Sequence, residues 1–189
     1  MTFLRRNYGW MIVALLAVLP LIPLLKILTK EGESNIGMLY HISGEFAIRW
    51  MTAVLTCTPF FILFGVTNLF VRQTMGIATA IWSLLHFTLF IWAEGFLETF
   101  TQVNYVAGFM ATLILIPLFI SSNRKSMKRL NAIWKKLQRF AYVAILLSLI
   151  HVAILEKTWL IYAVVVSLGF MIRIPFVKEK IIRYRLRKA

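Results

Sequence analysis

Two histidines lie inside hydrophobic stretches of the chain that otherwise carry almost no ionisable side chain. His86 stands within SLLHFT and His151 within SLIHVA. An imidazole in hydrocarbon is costly, so such residues usually face a bundle interior where they pair, bind a ligand or transfer a proton. Neither segment offers a carboxylate to share that proton. Two neutral imidazoles facing each other suit a metal ion, and heme iron is the metal most often held this way inside membrane bundles.

The composition is that of a membrane protein. Of 189 residues, 60% are hydrophobic, and the mean hydropathy is +0.81, well above an ordinary soluble domain. The net charge is +14, from 21 Lys and Arg against 7 acidic residues, none of them aspartate. The basic residues form short clusters between apolar stretches, which indicates membrane topology and anionic-lipid contact rather than nucleic-acid binding.

Six segments are long enough to cross a bilayer, which requires about 20 mostly apolar residues. They cover about 8–28, 44–70, 74–93, 104–120, 138–155 and 158–176. The connections between them are short, so the sequence predicts a single all-α transmembrane domain over residues 1–189. A basic segment at 121–137 is predicted to lie on the inner surface, and a basic tail follows at 177–189. The apolar face of that inner segment comprises Met127, Leu130, Ile133, Trp134 and Leu137.

The basic clusters all fall on one side of this arrangement. They comprise Arg5 and Arg6, Arg72, the run 124–139 and the tail, whereas the alternate loops carry mainly glutamates. Short cytoplasmic loops are enriched in Lys and Arg. The pattern predicts a multi-pass protein of the bacterial inner membrane with both termini in the cytoplasm.

This topology places the two histidines at a similar depth. His86 follows the inner start of the third segment by about 18 Å, and His151 follows that of the fifth by about 20 Å, at 1.5 Å per residue. Both segments run outward, so one flat macrocycle could be clamped between them near the outer face. The alternative is that each histidine only donates a hydrogen bond to a backbone carbonyl.

Three polar residues share one face of the second segment. His41, Glu45 and Arg49 follow each other at intervals of four. Arg49 could neutralise a heme propionate, or it could pair with Glu45 or extend outward to the interface. His41 is predicted to be an exposed loop residue, where it would suit a quinone or a partner protein.

Residues 36–176 resemble the ferric reductase-like transmembrane family, and within it the heme-binding membrane subunits of bacterial periplasmic methionine sulfoxide reductase systems. The resemblance rests on the order and spacing of ten short elements. They are 41–47, 56–59, Arg72, 75–76, 85–87, 105–108, 121–122, 130–137, 140–142 and 149–151.

The resemblance implies a b-type heme between the third and fifth segments, with His86 and His151 as axial iron ligands. It also implies electron transfer from quinol or a cytosolic flavin reductase to a redox partner outside the inner membrane, such as a methionine sulfoxide reductase. The family pattern has a further inner-side histidine where this chain has Gln138. An amide is a poor iron ligand, so we expect one heme near the outer face, and quinol fits better than a cytosolic donor. Quinone and FMN are further candidate cofactors.

Other motifs narrow the chemistry. Cys57 is interpreted as a small buried hydrophobe, and the absence of a CxxCH motif excludes covalent c-type heme. The chain has no glycine-rich flavin or dinucleotide fingerprint. We therefore expect a redox subunit rather than a complete catalyst. Two other classes stay open: a proton- or ion-conducting transporter subunit using His41, Glu45, Arg49 and the buried histidines, and a non-catalytic assembly subunit.

Overall fold

The computed structural model of the protein describes residues 3–29, 34–66, 69–155 and 158–188. Every regular element in these ranges is helical. The α-helices are α1 Phe3–Val18, α2 Leu21–Leu28, α3 Ser34–Phe64, α4 Leu69–Glu94, α5 Val103–Ile120, α6 Arg124–Gln138, α7 Ala141–Leu155, α8 Trp159–Arg173 and α9 Pro175–Lys188. A short 3₁₀ helix, Leu97–Phe100, lies between α4 and α5.

Five helical stretches are long and apolar enough to cross a membrane. They are Tyr8–Leu28, Ile36–Phe64, Leu69–Glu94, Val103–Ile120 and Arg124–Leu155. A sixth span results if α8 and α9, which are bent by 76° relative to each other, are taken together. At 1.5 Å per residue, α8 alone is about 22 Å long, shorter than a hydrocarbon core of about 30 Å. The predicted all-α membrane bundle is confirmed, with five to six spans.

The second predicted segment, 44–70, is displaced toward the N-terminus. Its helix α3 begins at Ser34 and ends at Phe64. Gly65 follows with a φ of +72° and donates its N–H to the carbonyl of Phe61, 2.9 Å away, which is a common way for glycine to end a helix. At the other end, the added turns bring His41 into α3. The prediction of a loop residue at His41 is therefore wrong, although its side chain is exposed as expected.

The basic inner segment forms α6, and the basic tail forms α9. Asn123 caps α6 by accepting a hydrogen bond from the N–H of Ser126 at 2.8 Å. On the predicted apolar face, Trp134 is partly buried and donates its indole N–H to the carbonyl of Ser121 at 2.9 Å. Leu130 and Leu137 are also partly buried, whereas Met127 and Ile133 are exposed. The helix is kinked at Asn131, which has a φ of +43°.

Pro59 interrupts the hydrogen bonding of α3. A proline has no N–H, so the carbonyl four residues before it, that of Leu55, loses its helical donor. Arg173, at the end of α8, donates a guanidinium N–H to this carbonyl and another to the hydroxyl of Tyr142. This contact satisfies the free carbonyl inside the bundle and joins α8 to α3.

Two closely packed helix pairs form the centre of the bundle. One pair is α3 with α4, and the other is α5 with α7; α8 packs against α3. The main core cluster connects these pairs through Ile48 and Leu55 of α3, Leu115 of α5 and the fully buried Ala144 and Ile145 of α7. Because His86 lies on α4 and His151 on α7, each packed pair supplies one of the two histidines.

Candidate functional site

The structure brings His86 and His151 together. Their ring centroids are 6.1 Å apart, and the ring planes are inclined by 62°. A metal–imidazole bond is about 2 Å long, and the ring centre lies roughly 1 Å beyond the nitrogen, so two imidazoles on opposite sides of a metal have centroids roughly 6 Å apart. The observed separation is therefore that of two imidazoles that would hold one metal ion between them.

Each imidazole also forms a hydrogen bond with a backbone carbonyl. Nδ1 of His86 lies 2.7 Å from the carbonyl oxygen of Tyr40, and Nδ1 of His151 lies 2.7 Å from that of Asn104. A carbonyl oxygen can only accept, so the proton of each neutral ring is on Nδ1. Nε2 then keeps a lone pair for a metal. The hydrogen bond to a backbone carbonyl, which was the alternative prediction, is thus present, and it leaves Nε2 of each ring available to bind a metal.

A glycine lies directly against each ring. A Cβ atom on Gly44 would lie 3.0 Å from Cε1 and Nδ1 of His86, and one on Gly108 would lie 3.0 Å from Nδ1 of His151. Such distances are below ordinary van der Waals contact, so a side chain at either position would displace the ring.

These glycines have the same register relative to the accepting carbonyls. Gly44 follows Tyr40 by four residues, and Gly108 follows Asn104 by four. In an α-helix, the residue four positions on supplies the N–H that bonds a given carbonyl and crowds the approach to it. Glycine at that position leaves the carbonyl open to the imidazole of the neighbouring helix. Sequence reasoning missed this role, because it depends on knowing which helices pack together.

The rings border a mostly apolar cavity of about 200 Å³. This volume is below the ~300–1,000 Å³ of typical ligand pockets, so a bound macrocycle would fill the cavity and extend between the helices. Thr99 lines the cavity, is 1% exposed, and its hydroxyl has no hydrogen-bond partner among the described residues. A polar edge of a ligand would satisfy that hydroxyl. Within the described ranges, no three His, Cys, Asp or Glu side chains gather around a metal site.

The polar face of α3 meets the cavity through His41 and Glu45, which both line it. Arg49 is not a lining residue: it forms an ion pair with Glu45 and lies over the ring of Phe46, 5.3 Å from its centroid. Both partners of the pair are about half exposed, at 52% for Arg49 and 45% for Glu45. The structure thus contains the ion-pair alternative, and Glu45 lines the cavity whereas Arg49 does not.

Gln138 lies at a second, larger cavity. We call it the inner cavity because it lies beside the basic segments that are predicted to face the cytoplasm. It has a volume of about 530 Å³, and Met51 and Leu115 line both cavities and separate them. The amide of Gln138 donates to the hydroxyl of Ser121 at 3.3 Å. The residues described around this cavity include no histidine, so a bis-imidazole site like that of the first cavity has no ligands here.

Residues 43–149 match the family of the ferric reductase like transmembrane component. The chain belongs to this family. His86 lies inside the matched region, and His151 follows its end by two residues. The predicted resemblance is confirmed.

Within this family, the chain is similar to curated proteins of Brucella ovis, Brucella canis and Brucella suis named protein-methionine-sulfoxide reductase heme-binding subunit MsrQ. Each is 26% identical over 162 residues, covering 79% of this chain and 74% of the relative. No solved structure matches the chain.

Proposed function

We propose that this chain is a b-type heme-binding electron-transfer subunit of a bacterial inner membrane, with both termini in the cytoplasm. The observation that carries the proposal is the facing pair His86 and His151, with ring centroids 6.1 Å apart and each Nδ1 held by a backbone carbonyl. Family membership and the similarity to proteins named as heme-binding subunits support it. When bound, the heme supplies a one-electron couple.

The surrounding residues hold and tune the site. His86 and His151 bind the iron, and the carbonyls of Tyr40 and Asn104 fix the tautomers and increase the basicity of the ligating nitrogens. The apolar walls limit water access, which shifts the reduction potential. Thr99 offers a hydroxyl to a polar edge of the ligand. A contact between Arg49 and a propionate stays a prediction.

We further propose one heme, quinol as the electron donor, and a methionine sulfoxide reductase on the outer side as the acceptor. The name of the Brucella relatives supports the acceptor. The inner cavity, whose described lining residues include no histidine, supports a single heme near the outer face. Electrons from a cytosolic flavin reductase, with or without FMN, would then have to cross most of the membrane, which favours quinol.

The test is an absorption spectrum of the purified protein, air-oxidised and dithionite-reduced. We expect the spectrum of bis-histidine heme b, and its loss in His86→Ala and in His151→Ala. His41→Ala is the matched control, because it removes the third and exposed histidine and should keep the spectrum. Wild-type protein without a Soret band after reconstitution with hemin would contradict the proposal, and so would a loss in His41→Ala as large as in the other two.

A further inference from the structure

The inner cavity has no role in the site described above. It lies where the start of α4, the end of α5 and α6 meet the middle of α3, and its volume of about 530 Å³ is that of a ligand pocket. It touches the histidine cavity only through the dividing residues Met51 and Leu115.

The charged residues described around the inner cavity are all basic. They are Arg72, Arg124 and Lys128, and no carboxylate is among the described lining residues. Arg124 is positioned over the ring of Phe70, 4.7 Å from its centroid. The two ion pairs found in the described ranges, Glu45–Arg49 and Glu179–Arg183, use none of these cations. The rim of the cavity is therefore positively charged and suited to bind an anion.

The opposite part of the cavity is apolar. Val54 and Leu55 of α3 and Leu115, Leu118 and Phe119 of α5 form its wall. Leu55, Leu115 and Leu118 belong to the bundle core, so this wall reaches into the hydrocarbon region. A free phosphate would use only the cationic rim, whereas an amphiphile with an anionic head and an apolar tail matches both parts.

The third feature is the helix that borders the rim. α6 starts at the cavity with Asn123 and Arg124, and it presents the exposed hydrophobic residues Met127 and Ile133 beside basic ones. α6 belongs with α7 to one helical stretch of 32 residues, which is longer than the roughly 20 residues needed to cross the hydrocarbon core, so its basic first turns reach the level of the phospholipid head groups. Basic pockets between transmembrane helices at this level bind anionic head groups.

We propose that the inner cavity binds one anionic phospholipid. Its phosphate lies among Arg72, Arg124 and Lys128, and an acyl chain lies along Leu115 and Leu118. This assignment does not depend on heme binding at the other cavity. It gives the chain a specific lipid site in place of a second redox site.

The first experiment is native mass spectrometry of the detergent-purified chain, titrated with phosphatidylglycerol or phosphatidylcholine. We expect one phosphatidylglycerol to bind in preference to phosphatidylcholine. The triple variant Arg72→Gln/Arg124→Gln/Lys128→Gln should weaken that binding at least about tenfold. The matched control, Lys178→Gln/Lys180→Gln/Arg187→Gln, removes the same charge from exposed positions of α9 and should leave it unchanged. Equal losses in the two variants would overturn the proposal, since they indicate general surface attraction.

A second variant tests the space without changing the charge. Gly76 lines the cavity, and a Cβ atom there meets only Val54, at an ordinary 3.9 Å. Gly76→Leu should therefore fold, fill the cavity and abolish specific lipid binding while keeping all three cations, with monodispersity and circular dichroism as folding checks. Unchanged phosphatidylglycerol binding in a folded Gly76→Leu protein would overturn the proposal. A second outcome would also overturn it: the protein shows no preference for phosphatidylglycerol but binds flavin mononucleotide specifically, and the basic triple variant removes that binding.

Discussion

The two cavities share Met51 and Leu115 but differ in what the chain presents to them. The histidine cavity is lined by two imidazoles, each held against a glycine by a main-chain carbonyl. The inner cavity has an amide, Gln138, held by the hydroxyl of Ser121, and a basic rim. One cavity thus holds two imidazoles in fixed orientations, and the other presents three basic side chains.

The difference lies in backbone packing as well as in side-chain type. In the histidine cavity, the missing side chains of Gly44 and Gly108 let neighbouring helices bring a ring and a carbonyl together. At the inner cavity, Gly76 has ordinary space around its Cα and no ring against it. A glycine helps to orient a histidine here only where the imidazole of the adjacent helix occupies the space that a Cβ would fill.

The largest effect is expected from filling these glycine positions. Gly44→Val or Gly108→Val would push the adjacent imidazole off its carbonyl, and we expect heme affinity to fall about 10- to 100-fold, as for other lost ligand-orienting contacts. The measurement is a hemin titration followed at the Soret band. Gly37→Val, on the same helix α3, is the control, because its nearest neighbour to a Cβ is 4.0 Å away. An equal loss in Gly37→Val would indicate a general effect on α3 and remove the contrast between the cavities.

The next largest effect is expected on stability, from the contact between Arg173 and the backbone of α3. Arg173→Met removes the donor to the Leu55 carbonyl that Pro59 leaves free, and we expect a loss of about 1–3 kcal/mol in the free energy of unfolding. The measurement is denaturation in detergent. In a Pro59→Ala background, an alanine N–H can bond that carbonyl, so the same substitution should cost less. Equal costs in both backgrounds would show that Arg173 acts through Tyr142 or through packing instead.

A smaller effect is expected from the charge at the mouth of the histidine cavity. Glu45 lines this cavity, and a nearby negative charge stabilises the oxidised, more positive iron. Glu45→Gln should raise the midpoint potential by roughly tens of millivolts, measured by spectroelectrochemical titration. Glu179→Gln, the acidic partner of the other described ion pair, lies on α9 and should leave the potential unchanged. A potential lowered by Glu45→Gln would contradict this expectation, and it would mean that the released Arg49 moves away from the iron and takes more positive charge from the cavity than the substitution adds.

The sequence could predict the elements that depend on local pattern. Hydropathy located the spans, and equal depth along two parallel segments brought His86 and His151 to one level. The start of α3 at Ser34 was missed because its first turns are weakly apolar, and its end was missed because the apolar run continues past Gly65. The pairing of α3 with α4 and α5 with α7 is a tertiary property. The roles of Gly44, Gly108 and Thr99 follow from that pairing and cannot be derived from the sequence alone.

The last prediction concerns Gln138, the inner-cavity residue that stands where the family pattern has a further histidine. Gln138→His places an imidazole at the inner cavity, close to Ser121. The described lining residues there include no second imidazole. They also include no pair of a glycine and a free carbonyl like those that orient His86 and His151. A single unoriented imidazole binds heme weakly, so we expect the heme-to-protein ratio, measured as the pyridine hemochrome, to stay at one. The double variant Gln138→His/His86→Ala should then bind as little heme as His86→Ala alone. A ratio of two in Gln138→His would mean that the inner cavity keeps a heme-sized site that lacks only its ligand, and the contrast with the histidine cavity would reduce to one side chain.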